Sequence, residues 1–149
     1  MHLPSIHREQ SNLRTYAVLK TEIGLEKYLS EIKNPVLRTE MTKFRLSNHN
    51  LMIEVGRHKG IPKELRFCSF CPNDVETEIH FLLLCPVYNL LRSEIIGPIN
   101  NSKPSFRFYT NEEKLQYLLT GTVSLKTCKY ISNAFKLRSF LNSNPKMLT

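Results

Sequence analysis

Cys68-Ser69-Phe70-Cys71-Pro72-Asn73-Asp74-Val75-Glu76-Thr77-Glu78-Ile79-His80-Phe81-Leu82-Leu83-Leu84-Cys85-Pro86 is the stretch from which the rest of the chain can be read. It sets Cys68, Cys71, His80 and Cys85 at the spacing C-x2-C-x8-H-x4-C. A C-x2-C pair lets two thiolates reach one ion from a tight loop, and two further ligands close a tetrahedral Zn²⁺ site. Cys71-Pro72-Asn73-Asp74 is turn chemistry, suited to reversing the chain after the second thiolate. Thr77 then caps a helix, with Glu78 favoured in its first turn, His80 on that helix, and Ile79, Leu82 and Leu83 as its core face. His80 and Cys85 are five residues apart, about 140° around a continuous α-helix, so there they would diverge. Pro86 removes the conflict, because a residue before proline is pushed out of the α region. Cys85 leaves the helix and can turn its sulfur back towards the ion.

Other uses of these residues compete with one structural zinc. Four cysteines allow three pairings into two disulfides. His80 alone could be an ordinary, partly buried histidine. A catalytic zinc usually keeps three protein ligands and an open position, whereas four good ligands close the sphere. Cys128 falls outside the motif and reads as a small buried residue on the last helix.

Working outward, the 149-residue chain has 21 Lys+Arg against 13 Asp+Glu, a net +8, and no Trp. Residues 1–67 carry net +5, residues 68–98 net −3 and residues 99–149 net +6. An acidic centre thus lies between two basic flanks. Asp74 is the single aspartate, and with scattered Glu the chain is a poor candidate for two-metal phosphoryl transfer, which needs clustered carboxylates. His2, His7, His49 and His58 stand without an evident nucleophile or carboxylate constellation, so no catalytic residue and no small-molecule substrate is expected. The stretch from Met1 to Arg14 is too polar for a signal peptide, and the longest apolar run, Ile79 to Cys85, is far too short to cross a bilayer. No membrane association is expected. The expected location is intracellular, nucleus or cytoplasm, where thiols stay reduced.

Helix punctuation is dense elsewhere. Ser11 caps a short helix using Leu13, Tyr16 and Ala17. Leu25, Tyr28, Leu29 and Ile32 form an apolar stripe. Asn34-Pro35 is a helix start, with Leu37, Met41 and Phe44 as the buried face. Leu51, Ile53 and Val55 alternate like a strand, though the same stretch reads equally as a short helix ended by Gly56. Arg66 and Phe67 enter the knuckle as a short extended piece. After Pro86, a helix using Val87, Leu90, Leu91 and Ile95 stops at Gly97-Pro98, and Asn100 to Pro104 reads as a linker. Thr110 and Glu113 form a capping box for a helix that uses Leu115, Leu118 and Leu119 and ends at Gly121. The last helix, about Val123 to Leu141, buries Tyr130, Ala134, Leu137 and Leu141. Lys129 and Lys136 share its other face, read first as a solvated face and second as a nucleic-acid contact.

Phe44-Arg45-Leu46, His49-Asn50-Leu51, Ile53-Glu54, Gly56-Arg57, Ile61-Pro62 and Arg66-x-Cys68-x2-Cys71 run in order into Glu76-x-Glu78-x-His80-Phe81-Leu82-x2-Cys85-Pro86 and Arg92. This series resembles the zinc-binding domain that follows the polymerase domain in non-LTR, LINE-like retrotransposon reverse transcriptases, over about residues 35–96. The resemblance implies that Cys68, Cys71, His80 and Cys85 hold one structural zinc in a region that helps to hold template RNA or target DNA. No polymerase aspartate motif precedes the domain, so reverse transcription is not carried over, and the chain reads as a stand-alone fragment or a remnant reading frame.

The expected architecture is a mainly α, small helical domain built around a CCHC zinc knuckle, with a short extended or hairpin segment allowed near residues 51–70. Residues 1–34 are expected as a helical extension, 35–98 as the zinc-binding domain and 99–149 as a second helical extension. RNA or DNA is the expected partner, through Lys43, Arg45, Arg57, Lys59, Lys63 and Arg66. Arg57, Lys59, Lys63 and Arg66 could instead offset the net −1 of a three-thiolate zinc site. Tyr28, Phe44, Phe67, Phe70 and Phe81 are aromatic candidates for base stacking, although core packing is the commoner use; Phe67 and Phe70, beside the first two ligands, are best placed for it. The alternatives are a zinc-stabilised protein–protein interaction module and a retroelement remnant without function.

Overall fold

Two of the helices begin at caps read from the sequence. A computed structural model describes residue 15, residues 26–120 and residues 123–148. α1 spans Lys27–Glu31, α2 Pro35–Arg45, α3 Met52–His58, α4 Asn89–Ser102, α5 Asn111–Thr120 and α6 Ser124–Ser143. Asn34 Oδ1 accepts the amides of Val36 and Leu37 at 2.9 and 3.3 Å, starting α2 with Pro35 in its first turn. Thr110 and Glu113 form the reciprocal box that starts α5: the Thr110 amide donates to Glu113 Oε2 at 2.8 Å, and the Glu113 amide to Thr110 Oγ1 at 3.2 Å. Ser11, Leu13, Tyr16, Ala17, Leu25 and Gly121 lie outside the described residues.

The fold is mainly helical, and among the described residues β structure is limited to an antiparallel bridge between Phe67 and Val75. The alternating run at Leu51, Ile53 and Val55 is not a strand: Ile53 and Val55 lie in helix α3 and Leu51 is its N-cap. Gly56 lies inside α3 instead of ending it. The stop is Gly60, in the left-handed region at φ +69°. There the Ile61 amide reaches back to the Gly56 carbonyl at 2.8 Å and the Gly60 amide to that of Arg57 at 3.3 Å, closing the helix end.

Gly56 has a different role. A Cβ there would lie 2.5 Å from Arg66 Cγ and 2.8 Å from Cδ. Arg66 cannot easily yield, because its guanidinium donates to the carbonyls of Ile61 at 2.8 Å and Ile53 at 3.0 Å. Gly-to-Ala inside a helix ordinarily gains about 1 kcal/mol. Here Gly56→Ala is expected to destabilise by about 1–3 kcal/mol instead, as overpacking does; the urea midpoint measures the sign.

Two expectations after the knuckle fail. Gly97-Pro98 does not stop α4, which continues to Ser102, and the expected linker at Asn100 to Pro104 is therefore mostly helix. Pro98 removes one amide, the partner of the Glu94 carbonyl. Glu94, Gly97 and Pro98 are exposed, so water can take that carbonyl, while Ile95 and Ile99 are buried and hold both turns against the core.

One apolar core draws on all parts of the described chain, from Tyr28 and Ile32 through Phe44, Phe81 and Tyr88 to Leu118, Tyr130 and Ala134. α6 lies along it and packs on α2, α4 and α5. Phe81 sits at its aromatic centre, with ring centroids 4.5 Å from Phe135, 5.0 Å from Tyr88 and 5.8 Å from Phe44. Phe44 and Phe81 are thereby committed to packing. No described helix is long and apolar enough to cross a membrane.

Candidate metal centre

The knuckle starts as a hairpin. Around the Phe67–Val75 bridge, the Glu76 amide donates to the Arg66 carbonyl at 2.9 Å and the Cys68 amide to that of Asp74 at 2.8 Å. The tight turn between them brings Cys68 and Cys71 together, with the Asp74 amide donating to the Cys71 carbonyl at 3.1 Å. The lone aspartate is thus a turn residue. The Phe70 amide points at Cys68 Sγ, 3.4 Å away. Thr77 Oγ1 accepts the His80 amide at 3.0 Å, the expected cap.

His80 and Cys85 then meet by a device the sequence reading does not contain. His80–Leu84 is a π turn, and the Cys85 amide donates to the His80 carbonyl, five residues back, at 2.7 Å. A π turn is wider than an α turn, so residues five apart come round to the same side. Pro86 still matters, since Cys85 is extended, with ψ 122°.

Widening the helix just before a proline leaves carbonyls without amide partners. Arg92 takes them: its guanidinium donates to the carbonyls of Leu82 at 3.0 Å and Cys85 at 2.8 Å. The Tyr130 hydroxyl takes that of Phe81 at 2.6 Å. The turn carrying two of the candidate ligands is therefore held from α4 and α6.

The ligand atoms of Cys68, Cys71, His80 and Cys85 all lie within 4.8 Å of one another. The sulfurs of Cys71 and Cys85 are 3.8 Å apart, the edge of a tetrahedron with metal–sulfur bonds of about 2.3 Å. All four cysteines are unbridged in the structure. His80 Nε2 is buried without a hydrogen-bond partner. A buried imidazole nitrogen of that kind costs free energy unless something accepts or shares its lone pair or proton. A metal ion does so, and the donor set fits one. The thiols are poised unequally. The hydrogen bond from Cys85 holds Cys68 down to about 4 against the opposing effect of burial. Cys85 itself is pushed up by that hydrogen bond and by burial, and Cys71 is raised chiefly by burial.

Glu76, which is 0% exposed, joins the knuckle to the rest of the molecule. Its carboxylate receives Arg138 of α6 in a two-point contact at 2.7 and 3.0 Å. Oε1 also accepts the Met52 amide at 2.7 Å, so Glu76 caps α3 from 24 residues away. Glu78 binds His49 at 2.9 Å, with both side chains buried. Arg138 is absent from the sequence expectation. Its only signal is a basic residue four after Ala134 and three before Leu141, on the buried stripe.

The expected basic contacts divide. Lys43, Lys59 and Lys63 are exposed. Arg57 is partly exposed and paired with Glu54 at 3.0 Å. Arg45 is 1% exposed, donating to the Leu119 carbonyl at 2.7 Å and ion-paired with Glu26 at 3.0 Å, with its guanidinium over the Tyr28 ring. It is withdrawn from the surface set, while Arg66 is half-buried and places two of its five N–H groups on the carbonyls of Ile61 and Ile53. Phe67 remains exposed, while Phe70 packs edge-on against Tyr88 at 6.4 Å. Cys128 is buried on α6, as expected, with its thiol on the Leu37 carbonyl at 2.7 Å.

No protein-family model, curated protein or solved structure matches the chain.

Proposed function

We propose that the chain is a zinc-stabilised, non-catalytic module that binds RNA or DNA, of the kind found after the polymerase domain in non-LTR retrotransposon reverse transcriptases. The Cys3His cluster, with its orphaned His80 nitrogen, carries this reading. Three thiolates and one imidazole suit Zn²⁺, and four ligands leave no open position for catalysis. The ion's contribution is a cross-link between the hairpin and the π turn. Lys43, Lys59 and Lys63, on a chain of net +8, supply exposed charge for phosphates.

Anisotropy titrations of the zinc-loaded protein with RNA and DNA across a salt series test the binding. Affinity should fall steeply with salt, and each of the three lysines that meets a phosphate should lower the salt slope by about one when changed to alanine. Absence of binding at low salt, or binding indifferent to salt, would overturn the reading.

A specific observation favours a protein-interaction module as the second reading. Leu90 of α4 is 85% exposed, although it was expected in the core, where Tyr88 lies instead. Capture of a partner that survives nuclease treatment, by a protein with no nucleic-acid affinity of its own, would decide for it.

A further inference from the structure

The most one-sided charge lies after the knuckle. Residues 114–149 hold six Lys and Arg and no Asp or Glu. α6 falls inside that stretch, and its cations take two roles. Arg138 is turned inward onto Glu76. Lys126, Lys129 and Lys136 are exposed. Among the described residues, none of these three lysines is held in an ion pair. At 3.6 residues per turn, Lys126, Lys129, Lys136 and the exposed Asn133 fall within about 80° of one another around the helix. The other side, with Cys128, Ile131, Ala134 and Leu141, is committed to the core.

The cationic face runs beside α4. Lys126, Lys129 and Asn133 stand across a hollow of about 190 Å³ from Leu91 and Glu94. Glu94 is exposed, and its carboxylate opposes any anion that sits in the hollow. The ten residues from Lys126 to Lys136 span about 15 Å of helix. One strand of a duplex presents about four phosphates over that length, at about 3.4 Å each along its axis. The exposed large apolar residues of α6 are Leu125 and Phe140. They lie about 22 Å apart along the axis, so this face has no apolar strip with which to enter a membrane.

We propose that this face of α6 is a track for the phosphate backbone of RNA or DNA, with Lys126, Lys129 and Lys136 as its charges and Asn133 as a neutral donor between them. This rests on the nucleic-acid reading above and adds a second contact surface, on the segment that the resemblance to retrotransposon zinc domains does not cover.

The test titrates the full zinc-loaded chain with a mixed-sequence RNA strand and a DNA duplex, by anisotropy across a salt series. Changing Lys126, Lys129 and Lys136 together to Gln should lower the salt slope by about two to three and weaken binding about ten- to a hundredfold at moderate salt. The same triple change to Arg should keep both. Glu94→Gln, which removes the carboxylate beside the track, should tighten binding about twofold. Lys33→Gln with Arg107→Gln removes two exposed cations from outside α6. That control for net charge should move the slope by less than about one. Every position changed is exposed, so the variants should keep the wild-type circular dichroism. A slope unchanged by the Gln triple, or changed no more per charge than in the control, overturns the track and leaves nucleic-acid binding standing. No binding of either probe by the wild type overturns both, whether or not the protein binds vesicles of anionic lipid.

Discussion

Cys68→Ser and His80→Ala are each expected to abolish stoichiometric zinc binding and to unfold the segment from Arg66 to Tyr88. Structural zinc in small sites is worth about 10–16 kcal/mol of binding free energy at neutral pH, as much as the whole stability of an ordinary domain. Without the ion, three thiols and an imidazole are held within 4.8 Å of one another in a buried place, with His80 Nε2 unsatisfied. Only weak thiol contacts, such as Cys71 to Cys85 at 3.8 Å, are then left between the hairpin thiols and Cys85. The π turn also presents Phe81 to the core, so its loss should spread to α6 through Phe135 and Tyr130. Elemental analysis should give one zinc per wild-type chain and none for the variants. Circular dichroism should show lost helicity in the variants and in wild type treated with a chelator. A metal-free wild type with unchanged helicity and a cooperative urea transition would remove the central inference.

Glu76→Ala should be the most damaging substitution outside the ligands, costing about 3–5 kcal/mol, as removal of one partner from a buried ion pair does. It strands Arg138 inside the protein and leaves the Met52 amide at the start of α3 without its acceptor. The double change Glu76→Ala with Arg138→Met should recover part of that loss, because the penalty lies mostly in the uncompensated charge. Urea unfolding of the four proteins in excess zinc gives the coupling. Strict additivity would mean that the pair does not connect knuckle and last helix energetically.

The clustering of the four candidate ligands was legible because its signal is local. Three cysteines and a histidine at fixed spacing, a turn sequence, the Thr77 cap and Pro86 all lie within nineteen residues, and each acts on its neighbours. The caps at Asn34 and Thr110 were legible for the same reason. The basic contacts were less so. Lys43 and Arg45 are two apart and chemically alike, but only Arg45 meets a carbonyl from α5 and the carboxylate of Glu26. Nothing in the spacing of charges along the chain separates them. The continuation of α4 through Pro98 was hidden too, because the cost of a missing amide depends on whether water can reach its carbonyl.

The sequence by itself determined a mainly helical chain, the four candidate ligands and where most helices start, since capping, proline geometry and ligand spacing are short-range effects. Tertiary structure decided the rest. Met52 to His58 is helix, not strand, because Glu76 caps it from across the hairpin and Arg66 fills the space beside Gly56. The π turn that swings Cys85 round to His80 is kept because Arg92 and Tyr130 satisfy the carbonyls it frees. In both places a backbone group is left without a local partner. Its conformation then depends on a side chain that only the folded chain brings within hydrogen-bonding distance.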